Sequence, residues 1–218
     1  MKPLGFVTGM AVEAACIVTA SKLLCQPSRI HVTGGVAGAA ADGARAHVAA
    51  GVRALVSFGF AGGLDPSLPP GELVGGTFVW RADGPPIGAA TLDGEMRFIA
   101  GGIAGVDGPV MSVAAKAALH AVSGAIAVDM ESHAVAAAAA AAGLPLYVLR
   151  AIADPAARSV PSAALAGIGP DGRRRPLAVL ARLLVHPAQI AAIIRLAGDS
   201  KAALRSLARA APMILSGA

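Results

Sequence analysis

The sequence predicts an α/β protein, a three-layer α/β/α sandwich around a central mixed sheet. Three observations carry this. Short apolar or β-branched runs alternate with alanine-rich stretches of helical composition over the first 155 residues or so. Several of these runs stop in small-residue turns, at Gly9, at Gly34-Gly35 and at Ala61-Gly62-Gly63. The 218 residues suffice for one sizeable core, and no internal repeat divides them. Residues 1–218 therefore read as a single domain, with a basic helical extension at about 163–218.

In chain order, Leu4–Thr8 is a short buried strand, and Gly9 and Met10 turn it into a helix over Val12–Leu24. Arg29–Thr33 is β-branched and alternating, which predicts a strand. Gly34 and Gly35 follow, and then helical composition over Val36–Ala50. Ala54–Phe60 is the next strand, Pro66–Gly71 a loop, and Leu73–Arg81, with Phe78 and Trp80, another strand. From Ala82 to Asp107 glycine and proline break every pattern, and no element is assigned. Ala114–Ser123 reads as helix, Ala125–Asp129 as strand, Ser132–Ala142 as helix and Leu146–Ile152 as strand. A loop then leads to two or three amphipathic helices over Pro176–Ala211.

Apolar residues make up 56% of the chain and charged residues 14%, which excludes a disordered chain. A membrane-spanning helix needs about 20 consecutive apolar residues. The longest candidate, Ala121–Ala153, is interrupted by Asp129, Glu131, His133, Gly143, Pro145 and Arg150, and reads as buried soluble structure. Lys2 and the apolar run after it look like a secretion signal, but Glu13 stands where such a signal is apolar. Cys16 and Cys25 have no metal-type spacing and read as free thiols in a reducing cytoplasm. No metal site and no resident cofactor are expected. The formal charge of +5 is concentrated late, at Arg173, Arg174, Arg175, Arg182, Arg195, Lys201, Arg205 and Arg209. A solvated basic face is the plain reading, and peripheral contact with an anionic membrane is the second. Nucleic acid is not an expected partner, because the single Tyr and Trp lie elsewhere and no stacking platform exists.

Ligands of such sheets gather at the carboxyl ends of strands. Polar groups reach those ends at residues 9–13, 34–38, 58–63 and 129–131, and at Asp154. For Asp129, helix capping is the favoured reading. Glu131 and Asp154, each following an apolar strand, are the candidates for chemistry. His133 reads equally well as a surface residue, and Lys116 carries no specific signal.

Four ordered motifs carry a resemblance. Val-Asp-Met-Glu-Ser at 128–132 is similar to the Val-Glu-Met-Glu motif of the purine nucleoside phosphorylase and nucleosidase superfamily. Arg-Ala-Ile-Ala-Asp at 150–154 resembles its Arg-x-Ile-Ser-Asp. Phe58-Gly59-Phe60-Ala61-Gly62-Gly63-Leu64 resembles its Asn-Thr-Gly-Ser-Ala-Gly-Gly turn, and Gly9-Met10 with Glu13 resembles its opening Gly-Ala-Met-Glu-Glu-Glu. Within the superfamily, the forms at 128–132 and 59–65 and the tail from Ala163, with Pro187-Ala188-Gln189, look most like the hopanoid-biosynthesis branch. Its members are proposed to release adenine from adenosylhopane, a lipid-linked nucleoside.

The resemblance implies cleavage of a purine N-glycosidic bond. Such cleavage puts oxocarbenium-like charge on the sugar and negative charge on the leaving base. It implies Asp154 as the acid at the base, with Glu131 and the Met130 backbone at the ribose. Glu13 matches the nucleosidase glutamate that helps to activate water. The alternative is phosphate, with Gly35, Phe58, Gly59, Ala61 and Arg45 as candidate contacts and inorganic phosphate as co-substrate. Phe60 replaces a common Ser and Ala153 another, so hydrolysis and phosphorolysis both stay open. The base pocket is not legible; its nearest candidates are Val110, Met111, Ser112 and Phe60. The resemblance also implies a cytoplasmic homo-oligomer, a dimer, working peripherally at the inner face of the membrane.

Three other readings compete. One is a nucleosidase for 5'-methylthioadenosine or S-adenosylhomocysteine. Another is a dinucleotide-dependent oxidoreductase using Gly34-Gly35-Val36-Ala37-Gly38. That reading lacks the acidic residue at the end of the next strand. The last is a noncatalytic membrane-surface or nucleotide-binding module.

Overall fold

The computed structural model describes residues 2–36, 38–91, 97–169 and 171–217. Strand β1 (Leu4–Thr8) is buried over its whole length, as expected for a strand covered on both faces. It pairs in parallel with β2 (Ser28–Val32) and with β3 (Ala54–Gly63). Helices α1 (Ala11–Leu24) and α2 (Ala39–Ala49) form the crossovers between these strands. Beyond β3 come β4 (Leu73–Arg81), β5 (Gly84–Gly88), β6 (Ile99–Gly105), α3 (Val113–Ser123), β7 (Ala127–Asp129), α4 (Ser132–Ala142) and β8 (Leu146–Asp154). Two helices end the chain, α5 (Pro176–Val185) and α6 (Ile190–Gly217).

The sheet is mixed and follows the order β2-β1-β3-β7-β6-β4-β5, with β8 paired to both β3 and β4. β8 runs parallel to β3 and antiparallel to β4. Strands β3, β7, β6, β4 and β8 therefore close on themselves, which curls one end of the sandwich into a partial barrel. Helices α1 and α6 pack on one face, over Leu4, Phe6, Val56, Phe58 and Leu149. Helices α2 and α4 cover the other, over Val7, Leu55, Val74, Ile103 and Val148. This is the predicted α/β class with its central mixed sheet flanked by helices.

Strands β5 and β6 lie in the stretch for which no element was assigned; its residues 92–96 fall outside the described set. The sequence of β6, Ile-Ala-Gly-Gly-Ile-Ala-Gly, defeats a pattern reading. Its glycines answer to packing: a Cβ on Gly102 would lie 2.1 Å from the Phe78 ring, so that aromatic side chain takes the space instead.

Helix α6 is a single element of 28 residues and continues through Pro212. Its second half, with Ala203, Leu207, Ala210, Ala211, Ile214 and Leu215, is core. Leu207→Ala is therefore expected to lower unfolding free energy by about 2–5 kcal/mol, read from urea melts. Leu184→Ala on α5, where the side chain is 85% exposed, should change it by under about 0.5 kcal/mol. Equal losses would contradict this placement.

Candidate active site

The end of β3 organises the site. Gly62 pairs with Val128 of β7 on one side and, past a register shift after Ala61, with Asp154 of β8 on the other. The acid-bearing ends of β7 and β8 thus flank one residue of β3.

Arg150 of β8 holds this end together from within. It is fully buried. Its Nε lies 2.6 Å from Asp129 Oδ2, and Nη1 lies 3.3 Å from Glu131 Oε2. Nη1 also donates to the Phe60 carbonyl at 3.2 Å, and Nη2 donates to the Ser57 and Ser132 hydroxyls at 2.5 and 3.3 Å. A buried guanidinium needs this density of partners to offset its desolvation. Asp129 in turn accepts the N–H groups of Glu131 and Ser132 at 3.2 and 2.9 Å, and the Ser132 hydroxyl. It caps α4 and pairs with Arg150 at once.

Glu13 and Glu131 converge across Gly9: a Cβ built there would lie 3.0 Å from Glu131 Oε1 and 3.6 Å from Glu13 Oε2. Glu131 Oε1 also accepts the Thr33 hydroxyl at 3.3 Å. Glu13 stands at the third position of α1 and accepts the Met10 N–H at 2.8 Å, a local cap. Its other oxygen crosses to β3 and accepts the Phe60 N–H, also at 2.8 Å. The carboxylate lies against Gly59, where any Cβ would approach it to 2.8 Å. Burial, and next the charge of Glu131, push the Glu13 carboxyl up to about 7, against the Phe60 and Met10 N–H groups and Arg150. Burial likewise raises Glu131, opposed by Arg150.

Asp154 has a partner that the sequence did not reveal. Lys116, fully buried on α3, places Nζ 2.5 Å from Asp154 Oδ2 and donates to the Pro155 and Arg158 carbonyls at 2.9 and 3.0 Å. Its three N–H donors are thereby used. Among the described residues no side chain anchors Oδ1 in this way. Burial raises the Asp154 carboxyl above its ordinary range, and Lys116 pulls it back down.

The remaining candidates separate. Met130 and Gly35 line a cleft beside Glu131, together with Thr33, Val36, Asp107 and His133. His133 Nε2 is 3.1 Å from Asp107 Oδ1 at that cleft. Phe60 contributes both backbone groups, whereas the Phe58 side chain is core, edge-on to Phe6, and Ala61 is core. Arg45 is not near the turn; it pairs with Asp42 at 2.5 Å on the exposed side of α2. Ser112 caps α3 by accepting the Ala115 N–H at 3.1 Å, the Met111 carbonyl accepts the Val160 N–H at 2.8 Å, and Val110 packs near Leu64. Ala153 is buried in the core, where the superfamily pattern has a hydroxyl.

Residues 81–185 match the model of the phosphorylase superfamily. That match spans just under half of the chain. Solved structures agree in fold. The 5'-methylthioadenosine/S-adenosylhomocysteine nucleosidase of Campylobacter jejuni superposes with a TM-score of 0.66 at 16% identity, covering 99% of this chain and 98% of its own. That of Colwellia psychrerythraea 34H, solved with adenine, gives 0.64 at 21% identity, covering 73% and 85%. The futalosine hydrolase of Helicobacter pylori strain 26695 gives 0.60 at 20% identity, covering 72% and 86%. No curated protein sequence matches the chain.

The buried acids set the pH dependence of stability. Glu13 is raised from 4.5 to about 7 on folding, so the folded state holds its proton more tightly. That stabilisation is complete below the unfolded value and is lost as pH rises through about 7. It amounts to about 3 kcal/mol. Glu13→Gln should flatten the fall in urea-melt stability between roughly pH 4.5 and 7. A variant that keeps the wild-type slope would show that Glu13 is not raised. Arg150→Met, which strands Asp129 and Glu131, should cost about 3–5 kcal/mol near neutral pH.

Proposed function

We propose that this chain hydrolyses the N-glycosidic bond of a purine nucleoside and releases adenine. One observation carries the choice of water over phosphate: Glu13 already occupies the turn at Gly59-Phe60 and takes the Phe60 N–H. A phosphate seated there would lose that donor and meet the charges of Glu13 and Glu131. Arg150 is committed to Asp129 and Glu131, and Arg45 is turned away.

In this reading the bond from the anomeric carbon to the purine nitrogen breaks, and its electron pair goes to the base. Asp154, anchored by Lys116 through Oδ2, delivers a proton to a ring nitrogen of the leaving purine. Glu131 accepts the sugar hydroxyls beside the Met130 backbone, and its negative charge favours the cationic sugar. Water adds to the anomeric carbon and gives its proton to Glu13. A carboxyl near 7 suits that task at neutral pH, since a general base works best near the working pH.

The motifs at 128–132 and 59–65 favour a lipid-linked adenine nucleoside, adenosylhopane, as substrate. The second reading is a nucleosidase for 5'-methylthioadenosine or S-adenosylhomocysteine. It is supported by the likeness in fold to such nucleosidases, one of them solved with adenine.

Adenosylhopane, 5'-methylthioadenosine, S-adenosylhomocysteine and adenosine, each incubated with the protein with and without phosphate, should separate these readings. Free adenine without phosphate is expected, fastest from adenosylhopane. Asp154→Asn should lower kcat/KM by roughly 10²–10⁴-fold. Lys116→Met should move the Asp154 limb of the pH profile to higher pH, because the opposing cation is gone. A strict need for phosphate would overturn hydrolysis, and no base release from any of the four would overturn the function.

A further inference from the structure

Helix α5 is unlike every other α-helix among the described residues: none of its residues is buried. Its sequence, Pro-Leu-Ala-Val-Leu-Ala-Arg-Leu-Leu-Val, is nonetheless almost wholly apolar. Val179 packs back against Gly167. On the outer side Leu177, Leu180 and Leu184 are 79, 57 and 85% exposed, at the three- and four-residue spacing of one helical stripe. Val185, and Ile190 and Ile194 in the first turns of α6, extend the exposed apolar surface. Arg173, Arg174 and Arg175, just before α5, and Arg195, in α6, are exposed, and so is Arg182 on the opposite side of α5 from the leucine stripe. No Asp or Glu occurs between Gly172 and Gly198.

We infer that α5 and the start of α6 form a docking surface for an anionic lipid bilayer, with α5 lying in the plane of the interface. The chemistry is that of interfacial helices: apolar side chains enter the acyl boundary while arginines meet anionic headgroups. Charge selects this occupant over a second copy of the chain. A two-fold contact would bring an arginine-rich surface against itself with no acidic residue on that segment to answer it. No helix among the described residues is long and apolar enough to cross a membrane, so the contact is one of lying on the surface. The segment is also tied to the site: the Gly172 carbonyl accepts the Ala11 N–H at 3.0 Å, where β1 turns into α1. Docking through α5 therefore holds the β1–α1 turn, against whose Gly9 the Glu13 and Glu131 carboxylates lie, near the lipid surface.

The inference does not rest on the proposed reaction, and its test needs no turnover. Full-length protein is sedimented with vesicles of phosphatidylcholine alone or with about one-third phosphatidylglycerol, at low and high salt. Binding only to the anionic vesicles, weakened by salt, is expected. Leu177→Glu with Leu184→Glu should lower the bound fraction at least about tenfold. Arg173, Arg174 and Arg175 changed together to Gln should weaken binding several-fold and flatten its salt dependence. Both variants alter exposed side chains and should keep the wild-type thermal midpoint. Failure of wild-type protein to bind anionic vesicles would overturn the inference, as would equal binding by the leucine variant. An oligomer in light scattering that Leu177→Glu with Leu184→Glu dissolves, without any vesicle binding, would assign the face to a second copy instead.

Discussion

A single buried cation organises the end of the sheet where the acidic residues meet. Arg150 has no exposure to water; it is ion-paired with Asp129 and Glu131 and donates hydrogen bonds to Ser57, Ser132 and the Phe60 carbonyl. Those partners come from β3, β7 and the start of α4, so the guanidinium fixes how three strand ends meet. Its desolvation requires the carboxylates, and the carboxylates require it. Glu131 is placed by this exchange, and through Glu131 so is the electrostatic setting of Glu13.

Three carboxylates around one guanidinium leave this region negative once all are ionised. Burial first, and the charge of Glu131 next, displace Glu13 upward. The negative charge also suits a reaction whose sugar turns cationic. Asp154 is handled separately. Its anchor is Lys116. The two acids thus keep different partners: Glu131 answers to Arg150, Asp154 to Lys116.

Much of this was legible in the sequence, and the reason is local. Glu13, Met130, Glu131 and Asp154 sit in short motifs at strand ends, and the alternation of strands and helices gives the layered architecture. What was hidden depends on residues far apart in the chain. Lys116 reaches Asp154 across 38 positions, Arg150 reaches Ser57 across 93, and Thr33 reaches Glu131 across 98. No spacing rule encodes such contacts. Strand β6 was hidden because its glycines make room for neighbouring side chains, which removes the β-branched signal of a strand. Arg45 misled for a complementary reason: a basic residue in the helix after a glycine turn reads as an anion ligand, but the face of α2 on which it lies points to solvent.

The central claim is that Glu13 leaves room for water and none for phosphate at the sugar. It is tested most directly by running the reaction in ¹⁸O-labelled water with unlabelled phosphate present and analysing the released sugar by mass spectrometry. Hydrolysis predicts a free sugar carrying one ¹⁸O at its anomeric carbon, and Glu13→Gln should slow its appearance. A sugar 1-phosphate without label would contradict the claim.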